Sequence, residues 1–461
     1  TFRREKAASY YVDVINTKFI DEFAPPPENI TEKTMSSWVG EGSDADAIIK
    51  IVCPDGHVAS MENLVNGLPQ LTPWYHRFRQ AWTNSIKFSE HETFGHPIAC
   101  LAFVTTANSN PIKAFMELSN SFHVQSLLGG SYSNPLLMHY ILVHDESTAS
   151  SIPHENLDRI FADIQRHFAK QASLLRVGQP KRPNEGDVSH LWHHYRSVFA
   201  PPAEGRSDIA YGQNFSERDV KAIRDTVRYI IAKCVLPHME QQIQVLCKET
   251  ENQRRAITGR LFSVGRKYFG NTSRGGLIKT GIDGETYYSY SSIEAKMRKL
   301  ADYAFMMKDF RFAQTVYQAA RRDFELDKVW KYVAGAQEMV GICKLLSEVP
   351  PADNRADYDV CFGDAITCYL NKAGKPMTKF AIRCVMLYAA LLQSLRLFHA
   401  LPAAFLRVVS PAIRLPTAVF LEQAAFAFLV NQRHQRVRRS IFNLVAAAKH
   451  YFLSGEAQHA H

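Results

Sequence analysis

The sequence predicts an α+β multidomain protein in which an N-terminal α/β domain precedes a C-terminal α-solenoid of tetratricopeptide-like helix pairs. Between residues 45 and 180, near-continuous apolar runs alternate with helical patterns, which is typical of a largely parallel sheet covered on both faces. From Ser292 onward every segment has helical apolar spacing. A Pro-rich and Gly-rich stretch, 179–218, lies between these regions and indicates a linker.

Domain boundaries follow these changes in composition. We expect five regions, namely an N-terminal α/β domain with an irregular start (1–180), a linker (181–216), a helical segment (217–251), a basic amphipathic helix with a flexible tail (252–291) and a tetratricopeptide-like α-solenoid (292–461).

The N-terminal region contains strands and helices in alternation. Strands are predicted at 47–53, 98–106, 136–145 and 173–178. Helices are predicted at 72–86, 110–122 and 155–171. Pro73 suits a first helical turn, where its missing N–H would be unpaired in any case.

Residues 217–251 form one long helix or two. Apolar residues at Val220, Ile223, Val227 and Ile230 keep helical spacing. Proline removes a hydrogen bond from a helix interior, so Pro237 is expected to kink the helix or end it.

The C-terminal region is predicted to contain successive helix pairs. They fall at 292–307 with 309–324, 327–348 with 357–372, 377–399 with 402–412, and 416–431 with 434–452. The first pair places Ala301, Ala313, Tyr317 and Ala320 at tetratricopeptide-like offsets. The repeats are degenerate, which favours an α-solenoid over a strict repeat array.

A cationic stretch, Asn252–Gly276, is the strongest functional signal. It has six basic residues and no acidic one. On a helix, Ile257, Leu261, Phe262, Val264, Gly265, Tyr268 and Phe269 occupy one arc of roughly 160°, and most of the cations lie opposite. This pattern is typical of a helix in a membrane interface. The predicted membrane-binding residues are Arg255, Ile257, Arg260, Leu261, Phe262, Val264, Arg266, Lys267, Tyr268 and Phe269.

Other interpretations of this stretch remain open. The helix could pack on its own domain or on a neighbouring subunit, as many amphipathic helices do. Nucleic-acid binding is a further alternative, but a phosphate backbone has no use for the apolar face. Glycines at 259, 265 and 270 weaken the helix, so it is expected to fold on contact with its target.

Net charge, cysteine content and apolar runs limit the kinds of partner and compartment that suit this protein. The 461 residues have a net charge of +9, which suits an anionic membrane or nucleic acid. The eight cysteines form no C-x-x-C pair, and we expect buried thiols in a reducing compartment. No signal peptide or spanning apolar run is found in the sequence.

Three stretches resemble catalytic, metal-binding or phosphate-binding motifs but do not match them. His91 and His96 are five residues apart, where a zinc-protease helix needs four. The cluster of His190, His193 and His194 lacks a Cys or carboxylate at matching spacing. The Gly259 to Lys267 stretch has one residue too many for a phosphate loop. We therefore expect no enzyme activity, cofactor, metal, nucleic acid or small-molecule substrate.

Several stretches together resemble one family. They are EHETFGHPIACLAFV (90–104), VLPHMEQQIQVL (235–246), ITGRLFSVGRKYFGN (257–271), the long block 293–342 and FLEQAAFAFL (420–429). The sequence is similar in these stretches to the subunit-8 proteins of the transport protein particle (TRAPP), the subunit that defines TRAPP III. The similarity runs from about Pro73 to the end.

The resemblance implies a function. TRAPP III is a cytosolic complex that serves as guanine nucleotide exchange factor for a Rab1-type GTPase in early secretory traffic and autophagy. Its subunit 8 performs no exchange itself, docks beside the shared core subunits and holds the complex on membrane. In the family the amphipathic helix contacts the membrane, which corresponds here to Ile257–Phe269. Family members are longer and go on into β-sandwich domains, so we expect this chain to be a fragment that stops within the solenoid.

Overall fold

The computed structural model describes residues 73–85, 89–121, 136–147, 154–179, 215–261, 278–280, 286–347, 355–372, 377–410, 412–430 and 436–460, together with positions 35 and 188. The described chain forms two compact units. One comprises Pro97–Val245. The other contains the described residues up to His96 together with Leu246–His461.

The unit Pro97–Val245 is built on a three-stranded parallel sheet in the order β1-β2-β3. Its elements are β1 (Ala99–Thr105), α2 (Pro111–Ser121), β2 (Leu137–Asp145), α3 (His154–Phe168) and β3 (Ala172–Val177). A preceding helix, α1 (Pro73–Ser85), belongs to the other unit. The predicted alternation of strand and helix over this region is confirmed.

The face of the sheet toward α2 and α3 is covered, whereas the opposite face is covered over β2 but leaves Phe103 of β1 56% exposed. On one face Tyr140 packs against Phe115 of α2 and Leu157 of α3. On the other face Ile141 and Leu175 pack against Ile230, which lies at the end of the next helix. The near-continuous apolar pattern of β2 therefore reflects burial on both sides, as the sequence predicts.

The helix after the sheet is α4 (Glu217–Ile230), and it continues through a wide turn into α5 (Leu236–Leu261). Ser216 begins α4 with a capping box, in which Ser216 and Asp219 each accept from the backbone N–H of the other. Pro237 does not end the helix. The π-helical turn over Ile231–Val235 immediately precedes it and accommodates the hydrogen bond that proline cannot donate.

The second unit is helical, with one short antiparallel hairpin of β4 (Ile278–Thr280) and β5 (Thr286–Tyr288). The helices are α6 (Ile293–Met306), α7 (Phe310–Leu326), α8 (Trp330–Ser347), α9 (Arg355–Thr367), α10 (Thr378–Ser394), α11 (Leu401–Leu406), α12 (Arg414–Val430), α13 (Val437–Leu453) and α14 (Ala457–Ala460). Each of these helices packs against the next one in sequence.

Helices are present in each of the C-terminal regions where the sequence predicts them, and they enclose an extended apolar core. Ala301, Ala313, Tyr317 and Ala320 are all fully buried in this core. Small residues at such positions let neighbouring helices approach closely, which explains their spacing in the sequence.

Three of the turns between helices use a basic residue in the left-handed backbone region. Lys308, Lys328 and Arg396 have φ of 62°, 58° and 57°. In each turn the following N–H bonds back to a carbonyl five residues earlier, as in Asp309 N–H to Ala304 O at 3.0 Å. These turns therefore have Schellman geometry with a side chain where glycine is preferred.

Helix α1 packs with the C-terminal helices, whereas the domain scheme predicted from the sequence groups it with the sheet. Tyr75 and Phe78 are buried against Phe405 and Phe420. The indole N–H of Trp82 donates to the carbonyl of Lys379 at 3.1 Å. Local pattern identifies this helix correctly, but it carries no information about a partner some 300 residues away.

Several expectations lie outside the described residues. They include the strand at 47–53, the histidine cluster of the linker and the cysteine at position 53. The described cysteines are free thiols, and five of the seven are buried. No helix in the described part of the chain is long and apolar enough to cross a bilayer.

Candidate functional site

The predicted membrane-binding segment begins within a described helix. Arg255, Ile257, Arg260 and Leu261 lie on the helical backbone of α5, which ends at Leu261. The helix passes the predicted boundary at 251 without a break. The other predicted residues, Phe262, Val264, Arg266, Lys267, Tyr268 and Phe269, lie outside the described residues.

The part of α5 before this segment is held against the helical unit. Leu246 and Thr250 are buried, and the Thr250 hydroxyl donates to the Leu246 carbonyl at 2.8 Å. Glu249 pairs with Lys296 of α6 at 3.0 Å. The cationic stretch thus begins on a helix that is held to this unit up to Thr250.

A second concentration of charge lies where residues 89–96, here named the 89–96 segment, enter the helical unit. Glu92 accepts from Arg383 of α10 at 2.5 Å, and Arg383 also reaches Glu338 of α8 at 3.4 Å. Glu90 pairs with Lys331. The segment therefore bridges helices that lie more than 200 residues further along the chain.

Asp302 of α6 is the most heavily bonded carboxylate of this cluster. It accepts from the Arg298 Nε at 2.9 Å, from the Tyr317 hydroxyl at 2.6 Å and from the backbone N–H of Thr93 at 2.6 Å. Burial opposes the charge on Arg298, but Asp302 beside it holds the pKa of the guanidinium above its usual value. Burial also raises the pKa of the Asp302 carboxyl, and Arg298, Tyr317 and Thr93 oppose that rise.

His91 is fully buried at the centre of the cluster. Its Nδ1 lies 2.5 Å from the Ser89 hydroxyl, and its Nε2 lies 3.3 Å from the Tyr369 hydroxyl. Burial, and then the nearby Lys331 and Arg383, lower the pKa of His91 well below its usual value. The imidazole is accordingly neutral and acts as a hydrogen-bonded packing group.

The backbone of α8 allows this approach because position 335 is a glycine. A Cβ on Gly335 would stand 2.6 Å from Cδ2 of His91. That distance is shorter than any ordinary carbon contact, so a larger residue would displace the imidazole.

The chemistry of the cluster is that of a structural clamp. Its carboxylates are occupied by Arg383, Lys331 and Arg298, which lie on three different helices. Burial lowers the pKa of His96 to about 4, and its Nε2 lies 3.2 Å from the Ser89 carbonyl. Across the part of the chain that the structure describes, no group of three or more His, Cys, Asp and Glu side chains is placed to hold a metal ion.

Sequence reasoning missed this clamp, although the stretch EHETFGH contributes to the family resemblance. The sequence feature that could have identified the clamp is the unusual density of charged and histidine side chains just before β1. Their partners lie on α6, α8 and α10, and no local pattern connects residues so far apart.

Comparisons with known proteins all give subunits of the transport protein particle. A family model described as TRAPPC-Trs85, ER-Golgi trafficking TRAPP I complex 85 kDa subunit, matches residues 3–396. The human protein named trafficking protein particle complex subunit 8 is 22% identical, over 95% of this chain and 35% of its own length. Two yeast proteins extend the comparison.

The Schizosaccharomyces pombe transport protein particle subunit trs85-2 is 27% identical, over 67% of this chain and 50% of the relative. The Saccharomyces cerevisiae trafficking protein particle complex III-specific subunit 85 is 23% identical, over 70% of this chain and 49% of the relative. The chain thus spans about a third to a half of the length of these curated relatives.

Proposed function

Because this chain belongs to the TRAPPC-Trs85 family, matched over residues 3–396, we propose that it is a non-catalytic scaffold and membrane-anchoring subunit of a TRAPP III-like complex. The single observation that carries this proposal is the family match, supported by the complex III-specific name of the budding-yeast relative. Other TRAPP core subunits are its direct partners.

The complex activates a Rab1-type GTPase in ER–Golgi traffic and autophagy, and this subunit contributes indirectly. Nucleotide exchange resides in the core subunits, while this chain positions them on an anionic membrane surface. Its location is cytoplasmic and peripheral, on Golgi, ER–Golgi intermediate and pre-autophagosomal membranes. The family description refers to ER–Golgi trafficking, which supports the Golgi location.

The membrane contact in this proposal is the cationic helix. Its basic side chains (Arg255, Arg260, Arg266 and Lys267) meet anionic headgroups, and its apolar side chains (Ile257, Leu261, Phe262, Val264, Tyr268 and Phe269) enter the acyl boundary. The helical backbone up to Leu261 and the Glu249–Lys296 pair support this role, because they begin the segment from a fixed base.

The strength of this contact is modest. Partial burial of six apolar side chains contributes several kcal/mol, and each cation near an anionic surface adds about 1 kcal/mol. Ordering the segment on the membrane opposes these gains. Binding is therefore weak and reversible, and stable recruitment needs a second contact such as the membrane-bound GTPase or another subunit.

The helical unit supplies the scaffold. Its helices pack in sequential order, which is the arrangement expected of an α-solenoid of tetratricopeptide-like pairs. In such a solenoid the surface between pairs is available to partner subunits, and the clamp formed by the 89–96 segment stiffens helices α6, α8 and α10.

Reconstitution with TRAPP core subunits tests the scaffold role. We expect the chain to co-elute with the core on size exclusion, to show no exchange activity alone, and to raise exchange on a liposome-bound Rab1-type GTPase. Failure to co-elute, or exchange by the isolated chain, would overturn the proposal.

Substitutions in the cationic helix test the membrane role. Leu261→Asp with Phe262→Asp is expected to abolish vesicle binding with the circular dichroism spectrum unchanged. Replacing Arg260, Arg266 and Lys267 with Glu is expected to abolish binding to anionic vesicles and to leave assembly with the core intact. Unfolding of the Leu261/Phe262 variant would place these side chains in a core instead.

A protein interface is the second candidate for this helix. Thr250 is buried just ahead of it, so the segment starts close to the helical unit. Protection of 252–276 from proteolysis in a lipid-free complex would favour this alternative.

A further inference from the structure

One stretch of the chain crosses the C-terminal helices in the direction opposite to their order. Residues 73–96, here named the strap, run from helix α1 to the end of the 89–96 segment. At the start of the strap the Trp74 indole donates to Glu422 of α12 at 2.8 Å. Near its end the ring of Phe94 lies 5.7 Å from that of Phe305 of α6.

The contacts between these two ends follow the same order. The ring of Phe78 lies 6.3 Å from that of Phe420 of α12. Trp82 donates to α10, the 89–96 segment bonds to α8 and α10, and the Thr93 N–H reaches α6. The strap also contacts α11 and the π-helical turn after α9. Helices α6, α8, α10 and α12 are each the first member of a helix pair predicted from the sequence, so the strap meets one helix of every pair.

Arrays of helix pairs bind partner segments along an extended surface of this kind. The surface formed by α6, α8, α10 and α12 is here named the strap face. Helix α1 buries Tyr75, Phe78 and Trp82 at spacings i, i+3 and i+7, and none of the three is more than 3% exposed. Its other side carries the exposed Gln80 and Thr83. This arrangement is that of an amphipathic helix bound in a groove.

We infer that the strap face is a binding site for an aromatic amphipathic helix followed by an acidic segment, and that the strap fills this site in cis. The partner subunits of the scaffold therefore bind the helical unit elsewhere. That second part rests on the proposed function, whereas the filled site rests on the contacts of the strap alone.

Buried charge makes the strap a lasting occupant of this site. Glu92 accepts from Arg383 at 2.5 Å, and the backbone N–H of Thr93 donates to the fully buried Asp302 at 2.6 Å. Withdrawal of the strap would remove these partners from a guanidinium and a carboxylate that are shielded from solvent. Loss of a partner is costly at such groups, so a competing segment would have to supply both bonds in the same places.

Cleavage of the folded full chain tests whether the site is filled in cis. A protease site inserted between Lys87 and Phe88 divides the chain into residues 1–87 and 88–461. The two pieces are expected to remain together on size exclusion at about 1 μM, because α1 stays bound to the strap face. Separation of the pieces on cleavage would overturn the inference.

Variants of α1 assign this association to the strap face. Trp82→Ala is expected to make residues 1–87 dissociate at least about tenfold faster, because the indole is buried and donates to the Lys379 carbonyl. Thr83→Ala, at an exposed neighbouring position, is the matched control and should leave the dissociation rate unchanged. Equal dissociation rates of the two variants would overturn the inference.

A labelled synthetic peptide of residues 73–96 tests whether the site is closed to other segments. We expect no binding of this peptide to the uncut chain, because its site is already filled. Binding of the peptide to the uncut chain would overturn the inference, since the strap face would then be open or readily vacated.

The TRAPP core subunits test where partners bind. With the core added to the cleaved chain, an affinity tag on residues 1–87 is expected to recover the core together with residues 88–461. Release of residues 1–87 by the core would overturn the inference and identify the strap as a displaceable inhibitor. Failure of the uncut chain to bind the core would instead contradict the proposed scaffold role and the second part of the inference. The cleavage, the α1 variants and the peptide would still decide whether the site is filled in cis.

Discussion

At the scale of single residues, the helical unit depends on close contacts that only particular side chains permit. Gly335 lets His91 lie against the backbone of α8, and His91 in turn bonds to Ser89 and Tyr369. The residue types were visible in the sequence. Their contact was not, because it joins positions 244 apart in the chain, a separation given by 335 − 91.

Gly335→Ala is expected to destabilise the protein by about 1–3 kcal/mol in urea unfolding, because the added Cβ clashes with the buried imidazole. His91→Ala should remove most of this cost when the two substitutions are combined. The matched control is Gly363→Ala, where the nearest atoms belong to the Arg407 guanidinium, whose pair with Asp359 is partly exposed, so a smaller loss of stability is expected. Equal effects of the two glycine substitutions would contradict this explanation.

Glu422 gives the helical unit a predicted dependence on pH. It accepts from the Trp74 indole at 2.8 Å and the Tyr451 hydroxyl at 3.0 Å, and burial raises its pKa from 4.5 to about 7. The folded state holds the proton more tightly than the unfolded state. The protonated Glu422 carboxyl therefore contributes its full stabilisation below about pH 4.5, and this contribution is lost as the pH rises to about 7.

The measurement compares the wild type with Glu422→Gln, which keeps an oxygen acceptor for both donors and cannot ionise. The free energy of unfolding of the wild type, relative to the variant, is expected to fall by about 3 kcal/mol across this range. Tyr451 and His459 are titratable neighbours that line one cavity together with Glu422, and they are present in both proteins, so their own titration cancels in the difference. Parallel curves would disprove the shift.

At the scale of elements, the sequence predicted most of the described helices and strands correctly. Periodicity and caps are local signals, so β1, β2 and helices α6 to α9 lie close to their predicted bounds. Helices α10 and α11 are shorter than predicted, since they end at Ser394 and Leu406 rather than at 399 and 412. Pro237 shows the limit of local rules. A π-helical turn over Ile231–Val235 lies before the proline, and the helix continues to Leu261.

The turn at Lys328 offers a test at this scale. Its φ of 58° strains a residue that has a side chain, and the side chain is exposed. Lys328→Gly is expected to raise the free energy of unfolding by up to about 1 kcal/mol, since glycine adopts this conformation without strain. Lys328→Ala, which removes the charge and keeps the strain, is the control. Equal effects of the two substitutions would mean that any gain in stability comes from removing the lysine charge.

At the scale of the whole molecule, the family and the two kinds of architecture were predictable. The resemblance carried by 90–104 and 293–342 is confirmed by the family match. The grouping of α1 and the 89–96 segment with the C-terminal helices was not predictable, because long-range burial decides it.

The central claim is that the cationic helix anchors this subunit to membrane, and flotation with liposomes tests it most directly. The purified chain is mixed with anionic or neutral liposomes, alongside a version in which residues 252–276 are replaced with a Gly/Ser linker of equal length. We predict flotation with anionic liposomes only, and loss of flotation in the replaced version. Equal flotation of both versions, or of neither, would contradict the account and assign the membrane contact elsewhere.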